Sequence, residues 1–133
     1  MLPTPACDGA APMTWQTHAE LNGAHTVPMT LIYDRRDPFA FTMRIVGRRW
    51  VFARELLAGG LIEPTGDGDV HISPQVGDPA TVLLFLSAPS GEAVLRIPRD
   101  PLERAVDEAE TAVPLGAEAI DWDREMRLLG GAA

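Results

Sequence analysis

From Phe39 to Val46 the chain alternates, with Phe39, Phe41, Met43 and Ile45 at one set of positions and Ala40, Thr42, Arg44 and Val46 at the other. A period of two sustained in this way predicts a half-buried β-strand. A further strand is expected from Met13 to Leu21, with Trp15, Thr17 and Ala19 on one face and Thr14, Gln16 and His18 on the other. Asn22-Gly23 turns it back into a strand over Val27 to Tyr33, in which Pro28 needs a site whose N–H enters no ladder, such as an edge or a strand start. Asp34 to Pro38 reads as a turn, and Gly47 to Arg49 as another that leads into a strand over Trp50 to Arg54. Arg54 to Gly60 favours one or two helical turns, stopped at Gly59 and Gly60 where positive φ carries no steric penalty.

Pro64 to Asp69 (PTGDGD) reads as a tight loop before a short strand, Val70 to Ser73, with Val70 and Ile72 facing one way. Thr81 to Ser87 is apolar at consecutive positions, which predicts a central strand buried on both faces. A turn at Pro89 to Gly91 joins it to Glu92 to Ile97 as a hairpin. The period then lengthens. Asp100 is placed as an N-cap, Pro101 at the first helical position and Glu103 as the reciprocal member of a capping box. Leu102, Ala105, Val106, Ala109 and Val113 share one helical face, so an amphipathic helix is expected to about Val113. A second short helix is expected from Asp121 to Leu129. The fold class expected is α+β, an antiparallel β-sheet domain with a C-terminal helix packed on it.

At 133 residues the chain has room for one domain, here residues 13–133, preceded by a Pro- and Ala-rich extension, residues 1–12, that shows no periodicity and is expected to be disordered. An apolar share of 46% beside 23% charged residues is globular composition. The longest aliphatic or aromatic run, Val82 to Leu86, falls far short of the roughly 18 residues a membrane span needs. The first residues have neither a basic segment nor an apolar one, so no leader is read and the expected compartment is the cytoplasm. Cys7 stands alone and forms no internal disulfide.

Charge narrows the partners. The formal net charge is −8 and the acidic excess is concentrated beyond residue 100, a field against which polyanions would have to bind. All eleven cations are Arg, a composition expected of a GC-rich genome.

Little in the sequence carries covalent chemistry. His18, His25 and His71 stand far apart, without the spacing of a zinc site. PTGDGD has neither the further acidic ligands of a calcium loop nor the Lys-Ser/Thr ending of a phosphate loop. No nucleophile signature is present, and the carboxylates of residues 100–125 suit the wet face of a helix. The expectation is a protein that is not an enzyme, with no cofactor and no metal. Arg35, Arg36, Arg44, Arg48 and Arg49 do lie among Tyr33, Phe39, Phe41 and Trp50, a combination that can stack bases and neutralise phosphates. Against the acidic total, the preferred expectation is that these aromatics face the core and the Arg side chains sit at strand ends.

The segment Trp50 to Pro74, WVFARELLAGGLIEPTGDGDVHISP, resembles the SsgA-like proteins, small actinobacterial factors of sporulation and cell division. The resemblance extends to YDRRDPF at Tyr33 to Phe39, LSAPSGEAVL at Leu86 to Leu95 and TAVPLGAE at Thr111 to Glu118. It implies a non-enzymatic protein related to SsgB-like members that localise or activate the tubulin-like division protein FtsZ during septation, with FtsZ and SsgA-like division proteins as partners and the septum as its place of action. It also implies a fold similar to the whirly single-stranded nucleic-acid binders, a barrel-forming sheet assembled as a homotrimer. A nucleic-acid ligand does not follow from that fold, and whirly-like single-strand binding stands as the alternative function.

A binding protein needs an exposed apolar or aromatic patch rimmed by charge. The residues placed there are Trp50, Phe52, Leu56, Leu57 and Leu61, with Asp67 and Asp69 of the GDGD loop. The competing expectation for the leucines is that they belong to the core.

Overall fold

The computed structural model of the chain describes residues 11–114. Eight strands and two helices follow in the order β1 (Met13–Leu21), β2 (His25–Tyr33), β3 (Ala40–Ile45), β4 (Arg48–Ala53), α1 (Arg54–Gly60), β5 (Thr65–Asp67), β6 (Val70–Gln75), β7 (Asp78–Ala88), β8 (Gly91–Pro98) and α2 (Arg99–Ala112). All strands join one antiparallel sheet in the order β4-β3-β2-β1-β8-β7-β6-β5, so two four-stranded meanders meet where β1 borders β8. The expected second helix over Asp121 to Leu129 and most of the N-terminal extension lie outside the described residues.

That meeting is narrow. β1 and β2 pair along their full length, from Met13 opposite Tyr33 to Leu21 opposite His25, whereas β1 and β8 pair only at Glu20–Arg96 and Leu21–Leu95. Asn22 extends the seam: its backbone N–H donates to the Val94 carbonyl at 2.8 Å and its side-chain oxygen accepts the Val94 N–H at 2.8 Å. The sheet curls into a half-barrel whose inner face carries Met29, Leu31, Phe41, Met43, Ile72, Val82, Leu84, Leu95 and Ile97. Burying one such side chain contributes about 1.5–3 kcal/mol. α2 packs on β1, β7 and α1 with Leu102, Ala105 and Ala109 buried, and Trp15 Nε1 donates to Glu108 Oε1 at 2.9 Å.

The structure departs from sequence expectation at several points, each with a physical reason. Phe39 precedes β3 and is exposed, because the chain is still leaving the Asp34–Pro38 turn there. β7 is buried on one face only: Val82, Leu84 and Leu86 point inward while Phe85 is 38% exposed, since among the described residues no second layer covers the outside of β6, β7 and β8. PTGDGD is not wholly a loop, for Thr65, Gly66 and Asp67 pair with Ile72, His71 and Val70. The capping box does not form; α2 starts at Arg99, with Pro98 at the cap and no side-chain cap bond. Arg99 takes over that end, donating to the Pro79 carbonyl at 2.7 Å and to the Leu61 carbonyl at 2.8 Å.

α1 occupies the expected residues for a different reason. Neither Gly59 nor Gly60 has positive φ. Instead a Cβ on Gly60 would overlap Cβ and Cγ2 of Ile72, so the missing side chain is what lets α1 lie against β6. Arg54, expected to end a strand, is 3% exposed at the start of this helix. Its Nη1 donates to the Tyr33 hydroxyl at 3.0 Å, which in turn donates to the Pro38 carbonyl at 2.9 Å, and its guanidinium lies 5.7 Å from the Tyr33 ring centroid. Nη2 has no hydrogen-bond partner among the described residues.

Two outcomes are expected. Gly60→Ala should destabilise the fold by about 1–3 kcal/mol through overpacking, read as a lower urea midpoint. Gly59→Ala should be close to neutral, because its Cβ would meet Thr65 Oγ1 at 3.1 Å, the end of a side chain that can turn away.

Asp34 and Asp78 are both held below the ordinary aspartate value of 3.8, Asp34 chiefly by side-chain hydrogen bonds from Arg36 and Asp78 chiefly by the Thr81 hydroxyl. Their contribution is complete above the unfolded value and is lost as pH falls through the depressed folded values. An Asp34→Asn/Asp78→Asn double variant should therefore melt lower than the parent at neutral pH and lose less between about pH 4 and about pH 2, as followed by thermal melts across that range.

Candidate functional site

Antiparallel order fixes which turns share an end. The β1–β2, β3–β4, β5–β6 and β7–β8 turns lie together at one end of the half-barrel, and the β2–β3 and β6–β7 connections with α1 lie at the other. At the first end the inner face of the sheet leaves an open groove of about 230 Å³ over the seam where β1 meets β8. Its floor and walls are Leu21, Ile45, Trp50, Leu86 and Leu95, with Arg48 on one rim and Glu92 on the other. Register explains the lining: Ile45 pairs with Arg48, Met43 with Trp50 and Phe41 with Phe52, so Arg48, Trp50 and Phe52 share the inner face of the edge strand. Phe52 sits deep against Phe41, with ring centroids 6.4 Å apart, while Trp50 lies nearer the mouth and is half-buried.

The rim holds one unusual backbone. Val46 has φ +50° and Gly47 φ +71°, a two-residue turn with both central residues left-handed. Glycine takes that conformation freely, but a β-branched residue there is a steric outlier, and Val46 is 62% exposed as well. Strain of this kind is retained where neighbouring structure over-determines it, frequently at a functional surface.

The sequence-predicted site residues divide. Trp50 lines the groove. Asp69 is exposed in the β5–β6 turn, its carbonyl accepting the Ser87 N–H at 2.9 Å, and Asp67 precedes it in β5 opposite Val70, so topology brings both to the same end as Trp50. Phe52, Leu56, Leu57 and Leu61 are corrected to the core: α1 turns its leucines inward beneath the sheet, and none of the four is open to a partner in the folded chain. Sequence analysis did not single out Val46, which it assigned to the preceding strand; the signal was the Val46-Gly47 pair between two strands, a spacing suited to a two-residue turn.

The aromatic and Arg cluster separates too. Tyr33 and Phe41 are fully buried, whereas Arg44, Arg48 and Arg49 are exposed on the β3–β4 hairpin. Arg44 stands directly opposite Arg49. His18, His25 and His71 lie on β1, β2 and β6, and among the described residues no group of three or more His, Cys, Asp or Glu is placed to hold a metal ion. Among the same residues no helix is long and apolar enough to cross a membrane.

Fold and open end together define an eight-stranded antiparallel half-barrel with two helices, built around a lined mouth. The family model described as Streptomyces sporulation and cell division protein, SsgA, matches residues 27–118. The chain is 35% identical to a sporulation-specific cell division protein of Frankia casuarinae over 95% of this chain and 92% of that one. It is 41% identical to the sporulation-specific cell division protein SsgB of Streptomyces coelicolor over 77% of this chain and 79% of the relative. A solved SsgA-like sporulation-specific cell division protein from Thermobifida fusca superposes with a TM-score of 0.74 at 31% identity, over 90% of this chain and 96% of that one. The solved structure reported with SsgB mutations that correlate to longitudinal cell division during sporulation of Streptomyces coelicolor gives a TM-score of 0.70 at 38% identity, over 80% of this chain and 94% of that one. The chain belongs to the SsgA family of sporulation and cell division proteins.

The strained turn has a measurable consequence. Val46→Asn, which installs an Asn-Gly pair suited to this turn, should stabilise the fold by about 1 kcal/mol, read as a raised urea midpoint with an unchanged slope.

Proposed function

We propose that this protein is a non-enzymatic regulator of septation during sporulation, which oligomerises and recruits or positions division proteins such as FtsZ at the septum. The observation that carries the reading is the open groove itself: an apolar surface containing a half-buried Trp50, rimmed by Arg48 and Glu92, on a chain whose relatives are named sporulation-specific cell division proteins. Apolar centre and charged rim are the ordinary anatomy of a protein interface, and a Trp at its centre is the side chain best suited to anchor one.

Self-association, a trimer by the family resemblance, would use a different surface. The outer face of β7 presents Phe85, which pairs across the sheet with His71 and Val94, and no layer among the described residues covers it. Packing of that face against a different patch of the neighbouring copy, as a three-fold ring requires, would remove an exposed aromatic from water without closing the groove. Whirly-like binding of single-stranded nucleic acid is the weaker reading, because Tyr33 and Phe41 are committed to the core, only Phe39 and Trp50 of that cluster keep exposed ring surface, and the chain's net charge of −8 opposes a polyanion.

The test is capture of purified FtsZ and of SsgA-like division proteins on immobilised protein, with light scattering to read the oligomer. Trp50→Ala is expected to lower capture at least about tenfold while circular dichroism and the oligomeric state stay as in the parent. Absence of capture by the parent protein at low salt would overturn the recruiting role.

A further inference from the structure

β4 is an edge strand. It pairs with β3 on one side, and on its other side no backbone hydrogen bond from another element reaches it among the described residues. A free edge is a template for another strand, and natural sheets generally blunt it. This one is six residues long and carries an exposed Val51.

Its charge is equally out of place. In a chain of net charge −8, Arg44, Arg48 and Arg49 crowd the β3–β4 hairpin, and none of them makes an ion pair or side-chain hydrogen bond among the described residues. Arg36 and Arg96 show the contrast, the first held by Asp34 and the second by Glu20 and Asp78, while Arg35 and Arg104 are unpaired among the described residues but stand singly elsewhere. Arg44 and Arg49 face one another directly across the ladder, where like charges are destabilising unless something neutralises them. Nothing among the described residues does.

We propose that the β3–β4 hairpin is the docking site for an extended acidic segment of a partner protein, which adds as a strand along β4. Main-chain bonds to the open edge would supply affinity, and alternation would divide the incoming side chains between two faces. Those on the outer face lie beside Arg49, with Arg44 one strand further in, which calls for carboxylates. Those on the inner face lie beside Trp50 and the groove wall, which calls for apolar groups, while Arg48 on the rim accepts a carboxylate at the end of the segment. A β4-to-β4 pairing of two copies fits less well, since the second β4 would bring more Arg to the same place. A nucleic-acid backbone satisfies the Arg side chains but leaves the strand edge and the apolar wall unused. The inference deepens the recruiting role proposed above by giving the chemistry of the recruited segment.

The probe is a fluorescein-labelled peptide of about eight residues alternating glutamate and valine, titrated against the full chain at low salt. Saturable binding is expected, weakening as salt rises. It should fall at least about tenfold for Arg44→Glu/Arg49→Glu, with the variant's fold checked by circular dichroism and its melting temperature. It should fall by a similar factor for the same peptide methylated on alternate backbone nitrogens, which keeps the charge and removes the ladder. Arg44→Gln/Arg49→Gln offers a milder change should the reversal fail to fold, and a smaller loss of the same sign is expected.

No saturable binding by the parent overturns the site. Equal binding of the methylated peptide overturns strand addition. Displacement of the peptide by a charge-matched single-stranded oligonucleotide that binds more tightly assigns the surface to nucleic acid, and a peptide-insensitive dimer lost on the same substitutions assigns it to a second copy; either result overturns the proposal. If FtsZ capture persists while the peptide is silent, the docking site falls and the recruiting role stands; loss of both removes both.

Discussion

The half-barrel depends on a seam two residue pairs long. Glu20–Arg96 and Leu21–Leu95 are all that the strand ladder supplies between the meanders, and Asn22 completes it by taking a left-handed conformation, φ +52°, in which its backbone and side chain both bond to Val94. Asn is among the few non-glycine residues that tolerate that region. Remove the seam and the chain holds two separate four-stranded meanders, each exposing an apolar inner face. With it the faces turn towards one another, α2 packs on strands of both meanders, and the seam pair Leu21–Leu95 itself lines the groove. Arg96 strengthens the junction electrostatically, reaching Glu20 at 3.4 Å and Asp78 at 3.8 Å. All three side chains are largely wet, so the geometry of the backbone rather than the ion pairs holds the join.

Local periodicity was readable wherever one face of a strand meets water. β1 runs over the residues its alternation indicates, and the inward set Phe41, Met43 and Ile45 of β3 follows directly from its period of two. The same logic misjudged β7, because consecutive apolar residues describe a strand without saying how many layers cover it; Phe85 is outward since, among the described residues, helices pack on one side of the sheet only. Arg54 could not be placed from its neighbours. A cation between a strand and a helix, with Glu55 beside it, looks like a surface residue, and what buries it is the Tyr33 hydroxyl and ring arriving from 21 positions away. Gly60 likewise looked like a helix terminator when its requirement is a close approach to Ile72.

The candidate site shows the same division between local and long-range information. Trp50 was expected in an exposed apolar patch as an aromatic of a strand-like run, and β4 places it on the groove wall. Leu56, Leu57 and Leu61 were equally conspicuous yet serve the core, which depends on where α1 lies relative to β6. That placement is a tertiary fact. Asp67 and Asp69 reach the same end as Trp50 only because the strand count between them makes their turns coincide. Family membership supplies the cellular setting, division and sporulation, and the edge strand with its unneutralised Arg side chains supplies a chemical preference that the setting alone would not.

The direction in which β1 runs carries one more implication. Its first residue, Met13, lies at the end of the sheet away from the four turns. The chain therefore enters the sheet from the end opposite the groove, which leaves the mouth clear of the point of entry.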